Sequence, residues 1–459
     1  MVNQAVRPVI DSAGTNAGQA KAPIRRGLLL GLFLVLMSDE MFGWGLGLGT
    51  GLSIKNAFLY LLITLLLFET ALLRRRGAPE ALRIQVPFIL LILWACYSWI
   101  SNTLLDLGVG YKAVASFIAL KGFLIDHYLF FAAFFLATPT RRDAMWLIHW
   151  IMVFLIAANF LTVIDVYNVP DLGIIRQIDD GRVSGPLGEP NQYGAFVAMF
   201  LPILISLLPG TTGMKRLVYA FGVLLFAWVL LLTVSRGAFV GLLCGAGLAA
   251  VLLRRYLDAR VLAAVGVGAG LVMIAALVLI GEEFVELLQS RTAAVTEGAD
   301  AFEMSSGRTW IWMNALLLQI DRPSSFLLGY GWNTFLSLNP LNSHNTYLTY
   351  LFELGVPGLL LYLALLYGVL RTATGAMTRS ADRAMTAGFI VGFSAVAVAV
   401  FFVNLAEPWY FIWAYVGVAM RVAVGDRGVV ERAPPRLRRE PLGPPAPVRD
   451  RRRAQRLLG

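Results

Sequence analysis

Apolar runs of about 20 residues recur along almost the whole chain, and they constrain its fold more than any other feature. A helix of that length crosses the hydrocarbon core of a bilayer. Only 14% of the 459 residues are charged and 58% are hydrophobic, whereas soluble globular chains are about 25% charged. The mean hydropathy is +0.71. The sequence therefore predicts an all-α polytopic membrane protein and excludes a soluble enzyme, a disulfide scaffold and a disordered binding protein.

A sliding window of about 19 residues predicts about 12 transmembrane helices. They cover residues 27–46, 56–73, 87–104, 114–137, 145–166, 192–209, 217–235, 237–253, 260–281, 346–370, 384–404 and 408–424. Ser38, Asp39 and Glu40 interrupt the first span, so it is the weakest of the set. If this count is wrong by two helices, both termini still lie on the same side of the membrane.

The order of the spans predicts five regions. They are a polar N-terminal tail (1–26), transmembrane helices 1–9 (27–281), a large loop containing short helices (282–345), transmembrane helices 10–12 (346–424) and a C-terminal tail (425–459). The last tail is rich in Arg and Pro, so we expect it to be disordered. No aromatic residues interleave its arginines, which favours attraction to anionic lipid over nucleic-acid binding.

Lysine and arginine are distributed unevenly between the two sides of the predicted membrane. If both termini are cytoplasmic, 29 of the 38 basic residues lie on the inner side and eight on the outer side, as the positive-inside rule requires. No small-residue cleavage site follows the first span, which indicates an uncleaved signal anchor. We therefore predict a multi-pass protein with both termini cytoplasmic and its large loop on the outer side, and no targeting sequence contradicts a bacterial inner membrane.

The sequence offers no pattern typical of a disulfide, metal or nucleotide site. Cys96 and Cys244 both lie within apolar runs, where a free cysteine acts as a small hydrophobic residue. Asp179-Asp180-Gly181 is the nearest candidate for a metal site, but its composition favours a turn. The glycines at 43, 45, 47, 49 and 51 alternate strictly and do not fit a dinucleotide fingerprint. We expect no metal and no cofactor.

Two arginines stand in outer segments that suit phosphate recognition. Arg236 lies in the tight turn Thr233-Val234-Ser235-Arg236-Gly237, and Arg308 precedes the Trp310-Ile311-Trp312 stretch of a short interfacial helix. Snorkelling to the interface is the alternative interpretation of Arg236. A guanidinium at headgroup depth donates in bidentate geometry to a lipid-borne phosphate or diphosphate.

His344 is the only one of three histidines predicted in an outer loop. A neutral imidazole there is well matched to deprotonating a hydroxyl near neutral pH. The alternative is a helix-capping neighbourhood, because Asn342, Ser343 and Asn345 can all cap the tenth span. His127 and His149 lie within spans, where packing is the expected role.

These motifs together resemble one family. Arg236 in a Ser-Arg-Gly turn, Pro190-Asn191 opening a span, Arg308 before Ile311-Trp312, and the run from His344 to Gly358 are similar to the O-antigen ligase and O-antigen polymerase (Wzy-type) superfamily. The resemblance covers residues 180–370 well, and the earlier spans only by count and spacing.

The resemblance implies an integral-membrane glycosyltransferase of a bacterial inner membrane, with one large periplasmic loop and an undecaprenyl-diphosphate-linked glycan as donor. We expect it to be metal-independent, because Arg236 and Arg308 can stabilise the departing diphosphate. The acceptor is lipid A-core for a ligase or a second lipid-linked glycan for a polymerase. It implies catalytic roles for Arg236, Arg308 and His344. Arg182, Asn191 and Asn345 are candidates for binding the diphosphate or glycan, although turn chemistry explains Arg182 equally well. We favour a ligase slightly; a polymerase of O-antigen, capsule or exopolysaccharide units is the alternative.

Lys121 and Asp126 lie within the fourth span, where charged groups are costly and indicate function. A separation of five residues disfavours their mutual pairing, so we hypothesise that Lys121 faces the cavity for the glycan lipid. A lipid-oligosaccharide flippase or transporter is the rival from another class, and a non-catalytic scaffold is the third possibility. Transporters place polar groups near the midplane on interrupted helices, whereas the distinctive residues here gather at the outer face.

Overall fold

The computed structural model describes residues 12–42, 47–49, 51–72, 82–105, 111–167, 178–179, 182–253, 308–339, 341–377, 382–404 and 410–424. Most of these residues are helical, which confirms the prediction of an all-α membrane protein. Two small antiparallel hairpins accompany the helices: β1 (Gly47–Gly49) with β2 (Leu52–Ser53), and β3 (Ile178–Asp179) with β4 (Arg182–Val183).

The helices are numbered in chain order. The first nine are α1 (Ser12–Phe42), α2 (Ile54–Leu72), α3 (Leu82–Leu105), α4 (Ala113–Leu120), α5 (Asp126–Ala137), α6 (Arg141–Val166), α7 (Pro190–Leu207), α8 (Gly213–Thr233) and α9 (Arg236–Leu253). The remaining six are α10 (Arg308–Asp321), α11 (Ser325–Leu328), α12 (Phe335–Leu338), α13 (Thr346–Ala376), α14 (Arg383–Ala399) and α15 (Tyr410–Val424).

Seven helical segments in the described part of the chain are long and apolar enough to cross a membrane. They are Arg83–Leu104, Ala113–Ala137, Arg141–Val166, Pro190–Gly210, Gly213–Thr233, Arg236–Leu253 and Thr346–Ala376. Three further apolar helical stretches, Ile54–Leu66, Arg383–Ala399 and Tyr410–Val424, are shorter. The predicted ninth span, 260–281, lies outside the described residues. The count of twelve spans therefore stays a prediction.

Helix α14 packs closely between α7 and α9 because glycines remove the side chains at the contacts. A Cβ on Gly245 of α9 would lie 2.4 Å from the backbone nitrogen of Ala395, and one on Gly392 would lie 2.0 Å from the carbonyl oxygen of Met199. Small residues allow helix backbones to approach in this way inside membranes. The contacts fix α7 and α9 against one central helix, and both helices begin at the same end of the bundle.

Helix α1 begins at Ser12, within the segment predicted to be a polar tail. Alanine is abundant in residues 12–26, and alanine is the strongest helix former. The acidic interruption of the first span has a partner, since Asp39 Oδ2 lies 2.8 Å from Lys55 Nζ at the start of α2.

The expectation that Lys121 and Asp126 would not pair is wrong. Lys121 Nζ lies 3.0 Å from Asp126 Oδ2, because the chain forms a π-helical turn at Lys121–Ile125 between α4 and α5. A π turn bonds residues five apart and so brings both side chains to one face. Asn56 and Tyr60 of α2 also donate to the fully buried Asp126 carboxylate.

Helix α13 is broken at Gly355, whose φ of +68° and ψ of −172° are not helical. The break frees the carbonyls of Phe352, Glu353 and Leu354 from their helical partners. Each one accepts another hydrogen bond: from Tyr330 N at 2.9 Å, from Gly331 N at 3.0 Å and from Trp94 Nε1 at 2.8 Å. The break therefore attaches the segment between α11 and α12 to the bundle.

Candidate functional site

Helices α7, α9 and α13 begin at the same end of the bundle, and we call this the site end. Arg182 of β4 is buried there, with 6% of its surface exposed. Its Nε donates to the carbonyl of Thr233 at 3.0 Å, and its Nη2 donates to Asn191 Oδ1 at 2.9 Å. Two predicted binding residues, Arg182 and Asn191, are thus bonded to each other.

The turn before Arg236 is fixed by its own backbone and by Asn191. Val234 ends α8 in the left-handed region, with φ +44°. The hydroxyl of Ser235 donates to Asn191 Oδ1 at 3.2 Å and accepts from Ala238 N at 3.3 Å, which caps α9. Arg236 is therefore the first residue of α9, with its side chain exposed.

Glu189 is the residue that sequence reasoning missed. Its carboxylate caps α7 by accepting from Gln192 N at 3.1 Å, and it accepts from Asn191 Nδ2 at 2.6 Å. Its charge also acts on Arg308 and His344. The available signal was an acidic residue opening a membrane helix among three outer arginines, but Gly188-Glu189-Pro190 has the composition of an ordinary turn.

Arg308 opens α10 and lies within electrostatic range of two other site residues. Burial lowers the pKa of its guanidinium, the Glu189 carboxylate opposes that shift, and the nearby Arg236 charge adds to it. Arginine stays protonated at physiological pH regardless. The structure therefore brings two predicted cations, Arg236 and Arg308, into one electrostatic neighbourhood with Glu189.

His344 lies in a loop that is held from three sides. Trp312 of α10 donates to the carbonyl of Ser343 at 2.7 Å, and Asn404 donates to Asn342 Oδ1 at 2.7 Å. Asn345 is the N-cap of α13 and accepts from Leu348 N at 3.0 Å. The helix-capping role therefore belongs to Asn345. His344 itself adopts φ +47°, a region that non-glycine residues seldom occupy.

The electrostatics of this loop favour a neutral imidazole. Burial lowers the pKa of His344 below 6.5, the Arg308 charge lowers it further, and the Glu189 carboxylate partly offsets both effects. His344 therefore remains deprotonated at neutral pH and can accept a proton. Arg308, a cation suited to an anionic group, lies within electrostatic range of it.

The other predicted residues lie apart from this group. Lys121 bonds to the carbonyl of Gly51 at 2.7 Å and to Asp126, so its observed partners belong to the protein. His149 bonds to the Tyr219 hydroxyl at 2.6 Å, in keeping with a packing role. His127 lies on the wall of a cavity that also contacts Asn342.

Within the described residues, no three His, Cys, Asp or Glu side chains form a group that could hold a metal ion. Asp179 is paired in register with Arg182 across the β3–β4 hairpin, and the two residues between them lie outside the described part of the chain. The expectation of a metal-independent reaction stays a prediction.

Comparison with known proteins identifies part of the chain. Residues 221–363, about a third of its length, match the family described as O-antigen ligase. The match contains Arg236, Arg308 and His344, and it leaves Lys121, Arg182 and Glu189 outside. It confirms the family resemblance seen in the sequence. No curated protein matches the chain.

Proposed function

We propose that this chain, which belongs to the O-antigen ligase and polymerase superfamily through its domain at residues 221–363, is a membrane glycan transferase of cell-envelope biosynthesis. It moves an oligosaccharide or polysaccharide from undecaprenyl diphosphate to an acceptor hydroxyl at the periplasmic face. A lipid A-core sugar is the acceptor for a ligase, and a second lipid-linked glycan is the acceptor for a polymerase.

One observation carries this proposal. A histidine whose pKa is lowered lies within electrostatic range of Arg308, which in turn interacts with Arg236. A glycosyl diphosphate is already activated, so the enzyme needs a base for the acceptor and cations for the leaving group. The site end of the bundle supplies both.

The proposed reaction is a single displacement. The neutral imidazole of His344 takes the proton of the acceptor hydroxyl while that oxygen forms a bond to the anomeric carbon. The bond between this carbon and the diphosphate oxygen breaks, and the diphosphate leaves with the electron pair. Arg236 and Arg308 donate hydrogen bonds to its accumulating negative charge.

Ligase and polymerase chemistry share this site and differ only in the acceptor. We favour a ligase because the Arg308 motif and the His344-Asn345-Thr346-Tyr347-Leu348 pattern are those of the ligase domain.

A specific observation raises the transporter alternative, because α13 is interrupted within a membrane span. Interrupted transporter helices expose carbonyls that bind ions. Here the freed carbonyls of Phe352, Glu353 and Leu354 each accept a hydrogen bond from the protein. The break therefore serves to hold the loop, which favours surface chemistry over transport.

The test is envelope glycan analysis in a deletion strain complemented with wild type, His344→Ala or Arg308→Ala. Long chains that accumulate on the lipid carrier and are absent from lipid A-core, unrescued by either variant, support a ligase. Single repeat units in place of long chains support a polymerase. Full rescue by both variants would contradict the catalytic proposal and favour the transporter.

A further inference from the structure

A cavity opens beside the His344 loop and extends into the bundle. Helices α3, α5, α13, α14 and α15 surround it. Asn342, two residues from His344, lies on its wall together with Asn404, to which it is hydrogen-bonded. The cavity therefore adjoins the proposed catalytic base.

Most residues on the walls are apolar, and several aromatic rings and polar groups lie among them. Tyr350 stacks on Tyr362 with ring centroids 4.3 Å apart, and the edge of Trp332 meets Tyr350 at 5.9 Å. Within the described part of the chain, no lysine or arginine lines the cavity, and Glu353 is its acidic group. Such walls suit a neutral polyol and disfavour a diphosphate.

Two buried nitrogens on these walls have no hydrogen-bond partner among the described residues: Trp332 Nε1 and His127 Nε2. Both side chains are 95% buried, with 5% of their surface exposed. A buried indole N–H without an acceptor is costly. Glu353 is equally buried, and its two oxygens accept from Asn333 N at 2.9 Å and Phe335 N at 3.0 Å, which leaves further lone pairs on a carboxyl group.

We propose that this cavity binds a neutral sugar ring of the acceptor glycan, with Trp332, Tyr350 and Glu353 as its hydrogen-bonding residues. This inference rests on the proposed transferase function. In a direct displacement, the base and the leaving group lie on opposite faces of the donor sugar. With the diphosphate at the arginines, the acceptor approaches from the opposite face of the donor sugar, and the cavity is the space next to the His344 loop. A prenyl chain would leave the buried polar groups unpaired, so it is the poorer occupant.

The test uses the full-length chain in lipid nanodiscs with the donor and acceptor glycolipid fractions extracted from the deletion strain. Tyr350→Phe keeps the ring and removes only the hydroxyl, whereas Trp332→Phe keeps an aromatic ring but removes the indole N–H together with the pyrrole part of the ring. We expect each to raise the half-saturating concentration of acceptor about three- to tenfold, the effect of one net hydrogen bond, and to leave that of the donor unchanged. Trp150→Phe and Tyr97→Phe are matched controls, because both residues are exposed on α6 and α3.

A second measurement reports oligosaccharide binding in the absence of catalysis. Oligosaccharide released from the strain's own envelope by mild acid is titrated against the purified protein, and we expect His344→Ala to bind it as wild type does, whereas Trp332→Phe binds more weakly. Unchanged acceptor and oligosaccharide affinities in Trp332→Phe and Tyr350→Phe, or a rise confined to the donor, would overturn the acceptor site. Wild-type transfer by His344→Ala would instead overturn the transferase itself.

Discussion

At the scale of single residues, two neighbours of opposite charge shift the pKa of His344 in opposite directions. Arg308 lowers the pKa of its imidazole and Glu189 raises it, on top of the lowering by burial. A base with a lowered pKa stays deprotonated as the pH falls below 6.5. The acid limb of the pH–rate profile of transfer is therefore expected below that pH.

Substitutions of the two neighbours should move this limb in opposite directions. Glu189→Gln removes the charge that raises the pKa, so the limb moves to lower pH. Arg308→Gln removes a charge that lowers the pKa, so the limb of the residual activity moves to higher pH. Arg308→Lys is the control, because it keeps the charge but loses bidentate donation, and we expect a slower rate with the limb unmoved. Identical limbs in all four proteins would show that another group titrates.

The same residues show how far sequence reasoning reached. Family motifs predicted roles for Arg236, Arg308 and His344, and in the structure Arg308 lies within electrostatic range of each of the other two. Glu189 could not be assigned, because its role arises from the packing of α7 against the segments that hold Arg308 and His344. The composition of a turn does not predict which residues distant in sequence will lie near it.

At the scale of elements, the break in α13 holds the loop between α11 and α12 in place. The backbone of Gly355 occupies a region open essentially to glycine alone, and a Cβ there would lie 2.5 Å from the carbonyl oxygen of Leu327. Glycine is therefore required at position 355 both by the backbone conformation and by the close packing against Leu327.

Gly355→Ala should therefore destabilise the protein and disturb the loop. We expect a loss of at least about 1–3 kcal/mol from backbone strain, measured as a lower melting temperature in detergent, with reduced transfer. Gly375→Ala in the same helix is the matched control, because a Cβ there meets nothing within 4 Å and alanine favours the helix. Equal melting temperatures for the two variants would contradict the role of the break.

The π turn pairs Lys121 with Asp126, and removal of one partner leaves a buried charge unpaired. Lys121→Met should lower the yield of folded protein, since breaking a buried pair costs about 3–5 kcal/mol. Lys121→Met with Asp126→Asn removes both charges, and we expect the yield to recover. If the double variant is as poorly folded as the single one, the pair does not stabilise the bundle.

The double variant also separates structure from ligand binding. Once yield is restored, the transfer rate per molecule reports on the loss of the two charges and no longer on folding. A reduced rate supports the proposed contact of Lys121 with the glycan lipid, whereas a wild-type rate removes Lys121 from the binding site.

Sequence patterns predicted the helices well but not their irregularities. The long described helices overlap the predicted spans, because hydrophobic length is a local property of the chain, although α1 begins at Ser12 in the predicted tail. The π turn at Lys121–Ile125 was not predicted, since its pairing partners Asn56 and Tyr60 come from another helix. The break at Gly355 likewise depends on contacts with residues 327–331.

At the scale of the whole molecule, the charge bias predicts which side of the membrane carries the site. Leu341 is 58% exposed beside the His344 loop, and Met214 is 74% exposed at the start of α8. In a variant lacking Cys96 and Cys244, we expect a membrane-impermeant maleimide to label Leu341→Cys from the periplasm. Met214→Cys should react only after the inner membrane is opened. The reverse pattern would invert the predicted topology and place the site in the cytoplasm.

The central claim is that the molecule is a transferase with His344 as its base. The most direct measurement is the initial rate of glycan transfer by purified wild-type and His344→Ala protein in proteoliposomes, with extracted lipid-linked glycan as donor and matched amounts of folded protein. We predict a loss of about 10²- to 10⁴-fold, the usual contribution of a general base. A His344→Ala rate within about twofold of wild type, less than any general base contributes, would contradict the account.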